Sequence, residues 1–289
     1  MKVHLSDIRS SYEGFAKLSD LARKIQDCFL DEIDIDMSCV RWFDANMCAA
    51  TGAILYRASQ SVNNVVIGRI RDNVETILRR NGFLANYGYP AIADTFRTTI
   101  RYNRFGPGED RRWASYVNEH LRGKGMPRMT RALRKKLVES VLEVFSNAAI
   151  HSRTKLGIFS CGQFFPKKER LDFSVADLGI GIRRNILEKK NIDLPAEQAI
   201  RWAVSERNTT KTGSVPGGSG LKILREFLSM NGGRIQIISD RGYWEFCQGE
   251  EVTERMASPF PGTVVNLEFN TADTNSYCLS SEMGSDDIL

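Results

Sequence analysis

Residues 142–152 read Leu-Glu-Val-Phe-Ser-Asn-Ala-Ala-Ile-His-Ser, and they restrict the fold more than any other stretch. They lie within a helical pattern. Thr130 is a candidate N-cap, and Leu133, Leu137, Val141 and Val144 follow at helical spacing. Glu143 and Asn147 stand four residues apart, so they share one face of that helix. Alone, an acid and an amide describe the partly solvated side of any surface helix. Two later segments favour a shared ligand: Asp177-Leu178-Gly179-Ile180-Gly181-Ile182 and Pro216-Gly217-Gly218-Ser219-Gly220-Leu221.

A chain of 289 residues accommodates two domains or one large one, and a hydrophobic content of 42% is ordinary for a globular protein. No apolar run is long enough to span a bilayer, and Met1–Ser10 lacks the apolar core of a secretory signal. The six cysteines show no CxxC spacing, which argues against a zinc site or a disulfide framework and makes a reducing, cytoplasmic setting the expectation. The histidines at 4, 120 and 151 make no local metal motif. Net charge is only +5, but eleven Lys or Arg lie between Arg101 and Lys136 against Glu109, Asp110 and Glu119. That belt fits nucleic acid, an anionic surface or an acidic partner, and it fits a plain solvated face equally well.

Residues 1–95 read as a small α/β unit. Lys2–Leu5 forms a short edge strand and Gly14–Leu30 a helix. Glu32–Met37 is a strand with Ile33 and Ile35 on one face. Asp44 is a candidate cap for a helix carrying Ala49, Ala50, Ala53, Ile54 and Ala58. Asn64–Ile67 is a second strand, and Arg71–Leu78 a helix closed by Asn81-Gly82. The stretch from Ile33 to Ser59 resembles the STAS fold (sulfate-transporter and anti-sigma-factor-antagonist domains), in which an acidic loop of Asp-Ser-Ser-Gly type precedes a helix. Asp44 matches the acid. Ala45 and Asn46 occupy the serine positions, one of which is phosphorylated in switching members. The resemblance therefore implies a STAS-like module without its phosphoacceptor, kept for binding or scaffolding.

The boundary falls within 90–108, with 96–125 as linker plus a first helix over 111–121. Residues 126–270 then read as a second α/β domain: the helix from Thr130, strands at Lys155–Ser160 and Leu171–Ala176, and a helix over Leu221–Met230. An expected hairpin of Arg234–Ser239 with Tyr243–Gln248 turns at Asp240-Arg241-Gly242, and Gly262–Phe269 is the last strand. The expected architecture is a mixed sheet with helices on one face, ending in a flexible polar tail over 271–289.

Each glycine segment is ambiguous alone. Asp177 at a strand end, followed by Gly179 and Gly181, makes a tight turn that admits a flat ligand or is simply a turn. The segment 216–221 opens a helix and suits an anion, or marks only a flexible join. It has no Gly-Lys-Ser/Thr, so it is not a P-loop, and no strand directly precedes it, so it is not a dinucleotide fingerprint. The order of all three pieces is more informative. Acid plus amide on a helix, then strand-Asp-x-Gly-x-Gly, then Gly-x-Gly-Leu opening a helix closely resembles the Bergerat-fold (GHKL) ATPases. That class includes gyrase, histidine kinases, the MutL proteins and the anti-sigma-factor serine kinases.

The resemblance implies a role for each matching residue. Asn147 holds Mg²⁺ against the phosphates of ATP, and Glu143 acts on water or on an acceptor hydroxyl. Asp177 accepts from the adenine amino group, with Gly179 and Gly181 as the floor of the base. Gly218, Ser219, Gly220 and Leu221 form the phosphate loop, and Thr263 reaches adenine through water. Residues 183–216 form a lid whose Thr209-Thr210-Lys211 resembles the anti-sigma kinases, with Lys211 in reach of a terminal phosphate or merely facing solvent. The family's basic residue three positions after the asparagine is Ile150 here, a loss that either Lys211 or Arg153 offsets or that leaves activity weak, and His151 reads as a helix-packing residue. The expectation is an Mg-dependent ATPase or protein-serine/threonine kinase with a regulatory protein partner and possible homodimer formation. A non-catalytic ATP-gated switch is the alternative and nucleic-acid binding the third. His120 does not sit in a phosphoacceptor-helix pattern, which argues against histidine-kinase chemistry.

Overall fold

A computed structural model describes residues 1–121, 123–205 and 219–282. Alternating short strands and helices build the first part of the chain. It runs β1 (Lys2–His4), α1 (Tyr12–Ile25), β2 (Glu32–Asp36), α2 (Cys48–Gln60), β3 (Asn64–Gly68) and α3 (Asp72–Arg80). The strands pair in parallel in the order β1-β2-β3, with α1 and α2 as the crossovers that parallel pairing requires. Ile33 and Ile35 are buried, as their alternation requires. Ser11 caps α1 by accepting from the Gly14 N–H at 3.3 Å.

Next come β4 (Thr99–Phe105), α4 (Asp110–His120), β5 (Arg128–Met129) and the long α5 (Arg131–His151). The Thr130 hydroxyl caps α5 by accepting from the Leu133 N–H at 3.2 Å. β6 (Ile158–Phe165) and β7 (Arg170–Asp177) lead into α6 (Gly181–Lys190) and α7 (Ala196–Val204). α8 (Ser219–Asn231), β8 (Arg234–Cys247), β9 (Glu250–Asn270) and β10 (Ser276–Tyr277) complete the described chain. Five strands form a sheet in the order β4-β6-β7-β9-β8. One face of that sheet carries α4, α5 and α8 over a core in which Trp113 stacks on Phe145 at 4.7 Å between ring centroids.

Four expectations need correction. The large sheet is antiparallel throughout, not mixed, and its second face is covered by the first α/β unit. Phe159, Cys161, Ala176, Ile238 and Val264 on that face share one apolar cluster with α1, α2 and the small sheet. Asp240-Arg241-Gly242 is a bulge inside the continuous strand β8, and the true turn to β9 is at Gln248-Gly249. Asp44 does not cap the following helix. Its carboxylate accepts from the Ser10 N–H at 2.9 Å and from the Trp42 indole at 2.7 Å, and it pairs with Arg170 at 3.3 Å. Finally, the tail is not free through 282. Ser276 and Tyr277 pair in parallel with Arg128 and Met129, and the Thr130 hydroxyl donates to Glu282 at 2.6 Å.

Polar groups register the two units. Asn46, fully buried, donates from Nδ2 to Asn266 Oδ1 and to Ser10 Oγ, both at 2.8 Å, with Ser174 Oγ at 3.2 Å. Ser174 and Asn266 face each other on β7 and β9. Asp172 on the same face is fully buried beside Arg170 at 3.1 Å, and burial pushes its carboxyl well above the usual range. No described helix is long and apolar enough to cross a membrane.

Candidate functional site

The apolar stripe of α5, with Leu133, Leu137, Val141 and Val144, packs into the core, and another face of the helix borders a cavity. Glu143 and Asn147, both half-buried, lie on that face together with Ser140 one turn earlier. They overlook the ends of β7 and β9. Antiparallel register sets Asp177 directly opposite Thr263 at those ends. A cavity of about 180 Å³ lies between these elements. Its walls include Glu143, Asn147, Asp177, Gly181, Leu221 and Thr263. Six residues singled out from separate segments of the sequence are therefore brought to one space.

Asp177 is 3% exposed. Burial pushes its carboxyl up to about 7, against the lowering effect of donors at Gly179 N–H, Thr263 N–H and Ser152. The Gly179 N–H donates to Oδ1 at 2.8 Å. Gly179 itself does not line the cavity. It packs so closely on the Ser152 carbonyl that a Cβ would overlap it, so its role is to let the turn approach α5. Gly181 has φ +75° and starts α6. The Ile182 N–H then donates to Ser239 Oγ at 2.9 Å, and Ser239 Oγ donates to the Gly262 carbonyl at 3.0 Å. This hydroxyl ties the start of α6 to the strand segment that carries Thr263, whose Oγ1 is 3.1 Å away. Gly262 is pressed against the Asp177 carbonyl, where no side chain fits.

Not every expected residue joins the cavity. Lys211 and Gly218 lie outside the described residues. Ser219 and Gly220 form the first turn of α8, and Leu221 one residue on is a wall. Arg153 does not line the cavity and makes an ion pair with Glu188 at 2.8 Å. Ile150 is 61% exposed. Sequence reasoning missed Ser140, Ser152, Asn185, Trp202 and Ser239. Ser140 was legible as the position three before Glu143. Trp202 was not, because α7 sits in a stretch read only as lid.

The donor set is mixed. Asn147 offers a neutral amide oxygen and Glu143 a carboxylate, the hard oxygen ligands that magnesium takes. Among the described residues no group of three or more His, Cys, Asp or Glu is placed to hold a metal alone, so a cation here needs oxygens from a ligand as well. The basic belt is divided. Arg104, Arg112, Lys124 and Lys136 are engaged within the chain, while Arg128, Arg131 and Arg134 are exposed near the start of α5. No protein-family model matches the sequence, and no curated protein matches it.

Proposed function

We propose that this chain is an Mg-dependent ATP-binding protein of the Bergerat (GHKL) type, acting as an ATPase or protein-serine kinase in a regulatory role. The observation that carries this reading is the shared cavity of about 180 Å³ between Glu143, Asn147, Asp177, Gly181, Leu221 and Thr263. That volume suits a purine base with part of its sugar. The helix α8 starts at Ser219, two residues before the cavity wall Leu221, and a helix N-terminus suits an anion, so the phosphates would lie at that end.

Magnesium would neutralise phosphate charge in such a site, with the Asn147 amide oxygen as its protein ligand. Asp177 reads the exocyclic amino group, because its ionised oxygens accept and do not donate. Apolar walls from Val175, Ile237 and Val265 keep water from the base. Glu143 stands one helical turn from Asn147 and is the group in position to orient or deprotonate a nucleophile. Titration of the full chain with ATP and Mg²⁺ tests the reading. Binding is expected to prefer ATP over GTP, whose ring presents a carbonyl where adenine has its amino group, and equal affinity for the two would count against the role of Asp177.

A second reading is a non-catalytic switch in which ATP changes how the first unit meets a partner. The buried contacts of Asn46 support it. They join the first unit to β7 and β9 on the face opposite the cavity walls Val175 and Val265. Asn46 also stands where a STAS domain would carry its hydroxyl. Affinity for ATP without phosphate release distinguishes the switch from the enzyme.

A further inference from the structure

A second cavity, of about 210 Å³, lies between the last turns of α1 and α2 and the strand β9. Ile25, Ile54 and Pro261 give it apolar walls, and Gln26, Arg57 and Ser61 give it a polar rim. Beside it the chain exposes three large apolar side chains: Phe29 at 67%, Leu30 at 69% and Val62 at 62%. These are not loose loop tips. The Asn63 side chain donates to the Cys28 carbonyl at 2.9 Å and to the Ala58 carbonyl at 3.0 Å, and accepts from the Asp31 N–H at 3.0 Å. It thereby ties both loops to the end of α2. Leu30 and Val62 are both held at positive φ, +55° and +59°, a cost for branched side chains that fixed surroundings must offset. An ordered apolar patch beside a cavity marks an interaction surface.

The patch contains both a plug and a socket. Phe29 is an exposed aromatic side chain, and the neighbouring cavity combines apolar walls with the polar side chains of Arg23, Gln26, Arg57 and Ser61. It also carries both signs of charge. Asp27 is exposed two residues before Phe29, and its only described side-chain contact is with its neighbour Gln26, at 3.3 Å. Arg57 on the rim is exposed and makes no ion pair among the described residues. A surface that carries an exposed aromatic, a cavity and both signs of charge has the parts that a two-fold contact needs, where the same patch serves both copies.

We propose that this surface is the interface of a homodimer in which Phe29 of each copy enters the cavity of the other, and Asp27 of each pairs with Arg57 of the other. Sedimentation of the full chain over a concentration series tests it. The parent is expected to show a reversible monomer–dimer equilibrium. Phe29→Asp is expected to raise the dimer dissociation constant by about 30-fold or more, the scale for losing a buried aromatic anchor. Since Phe29 is exposed in the single chain, the variant should keep its fold, checked by near-ultraviolet circular dichroism.

The charge arrangement permits a sharper test. Asp27→Arg alone sets two positive groups against each other, and Arg57→Asp alone sets two negative groups against each other. Each single variant should be monomeric. Mixed in equal amounts, the two should form a heterodimer, because both ion pairs are then of opposite sign. A fold defect would not be repaired by mixing. A parent that stays monomeric at every concentration, a dimer indifferent to Phe29→Asp, or a mixture no more associated than its components would each overturn the proposal.

Discussion

Replacing Asp177 by asparagine should shift the balance of stability towards the variant as pH rises. Asp177 is buried, and its pKa is raised from 3.8 to about 7 chiefly by burial. An acid whose pKa is higher in the folded state keeps its proton longer on folding. Stability therefore falls as pH rises from the unfolded to the folded value, and the loss is complete above about pH 7. At ~1.36 kcal/mol per tenfold change in proton affinity, the full cost of the ionised carboxylate is about 4 kcal/mol. Between about pH 5 and about pH 8 the part gained is about 3 kcal/mol. The asparagine variant carries no such cost, so the difference in unfolding free energy between variant and parent should widen by about 3 kcal/mol over that interval. Hydrogen bonds to Gly179 and Ser152 that depend only on shape cancel in this comparison, since it contrasts one pair of proteins at two pH values. Urea denaturation of both proteins at each pH gives the number. Parallel stability–pH curves would refute the reasoning, because they would mean that Asp177 is hydrated or paired in a way the buried geometry does not allow.

Gly262→Ala should cost ~3 kcal/mol or more and weaken ligand binding, since the added methyl overlaps the Asp177 carbonyl and φ is +151°; thermal melting and nucleotide titration measure both effects, and a neutral outcome would contradict the close approach. Asn46→Ala should destabilise the chain by about 3 kcal/mol, because Asn266, Ser174 and Ser10 lose a buried partner. If the two units merely rest on each other, chemical denaturation of that variant will match the parent.

The candidate site was legible to the extent that its chemistry is local. Glu143 and Asn147 are set by helical period alone, and Asp177 by a strand that stops at a glycine turn. The meeting of Asp177 with Thr263 is a matter of register between strands distant in sequence, which no local pattern encodes. Turn chemistry misled at Asp240-Arg241-Gly242. Asp240 does adopt positive φ, +52°, and Gly242 does need to lack a side chain, but because it packs on the Ala196 backbone of α7. The same residues that make a turn serve a bulge when a helix lies against them. Asp44 was read as a cap from its place before a helix, while its charge is used against Arg170 across the interface. The covering of the sheet's second face was also invisible. Its apolar residues, among them Phe159 and Ala176, read equally well as half of any strand's alternation.

In the proposed function one face of α5 carries both the magnesium-holding and the proton-handling group. Measuring nucleotide binding and phosphate release together, on the parent and on Asn147→Ala and Glu143→Ala, tests it most directly. Asn147→Ala should lose Mg-nucleotide binding, and Glu143→Ala should bind nucleotide yet release no phosphate. Three proteins with the same affinity and the same turnover would contradict the account.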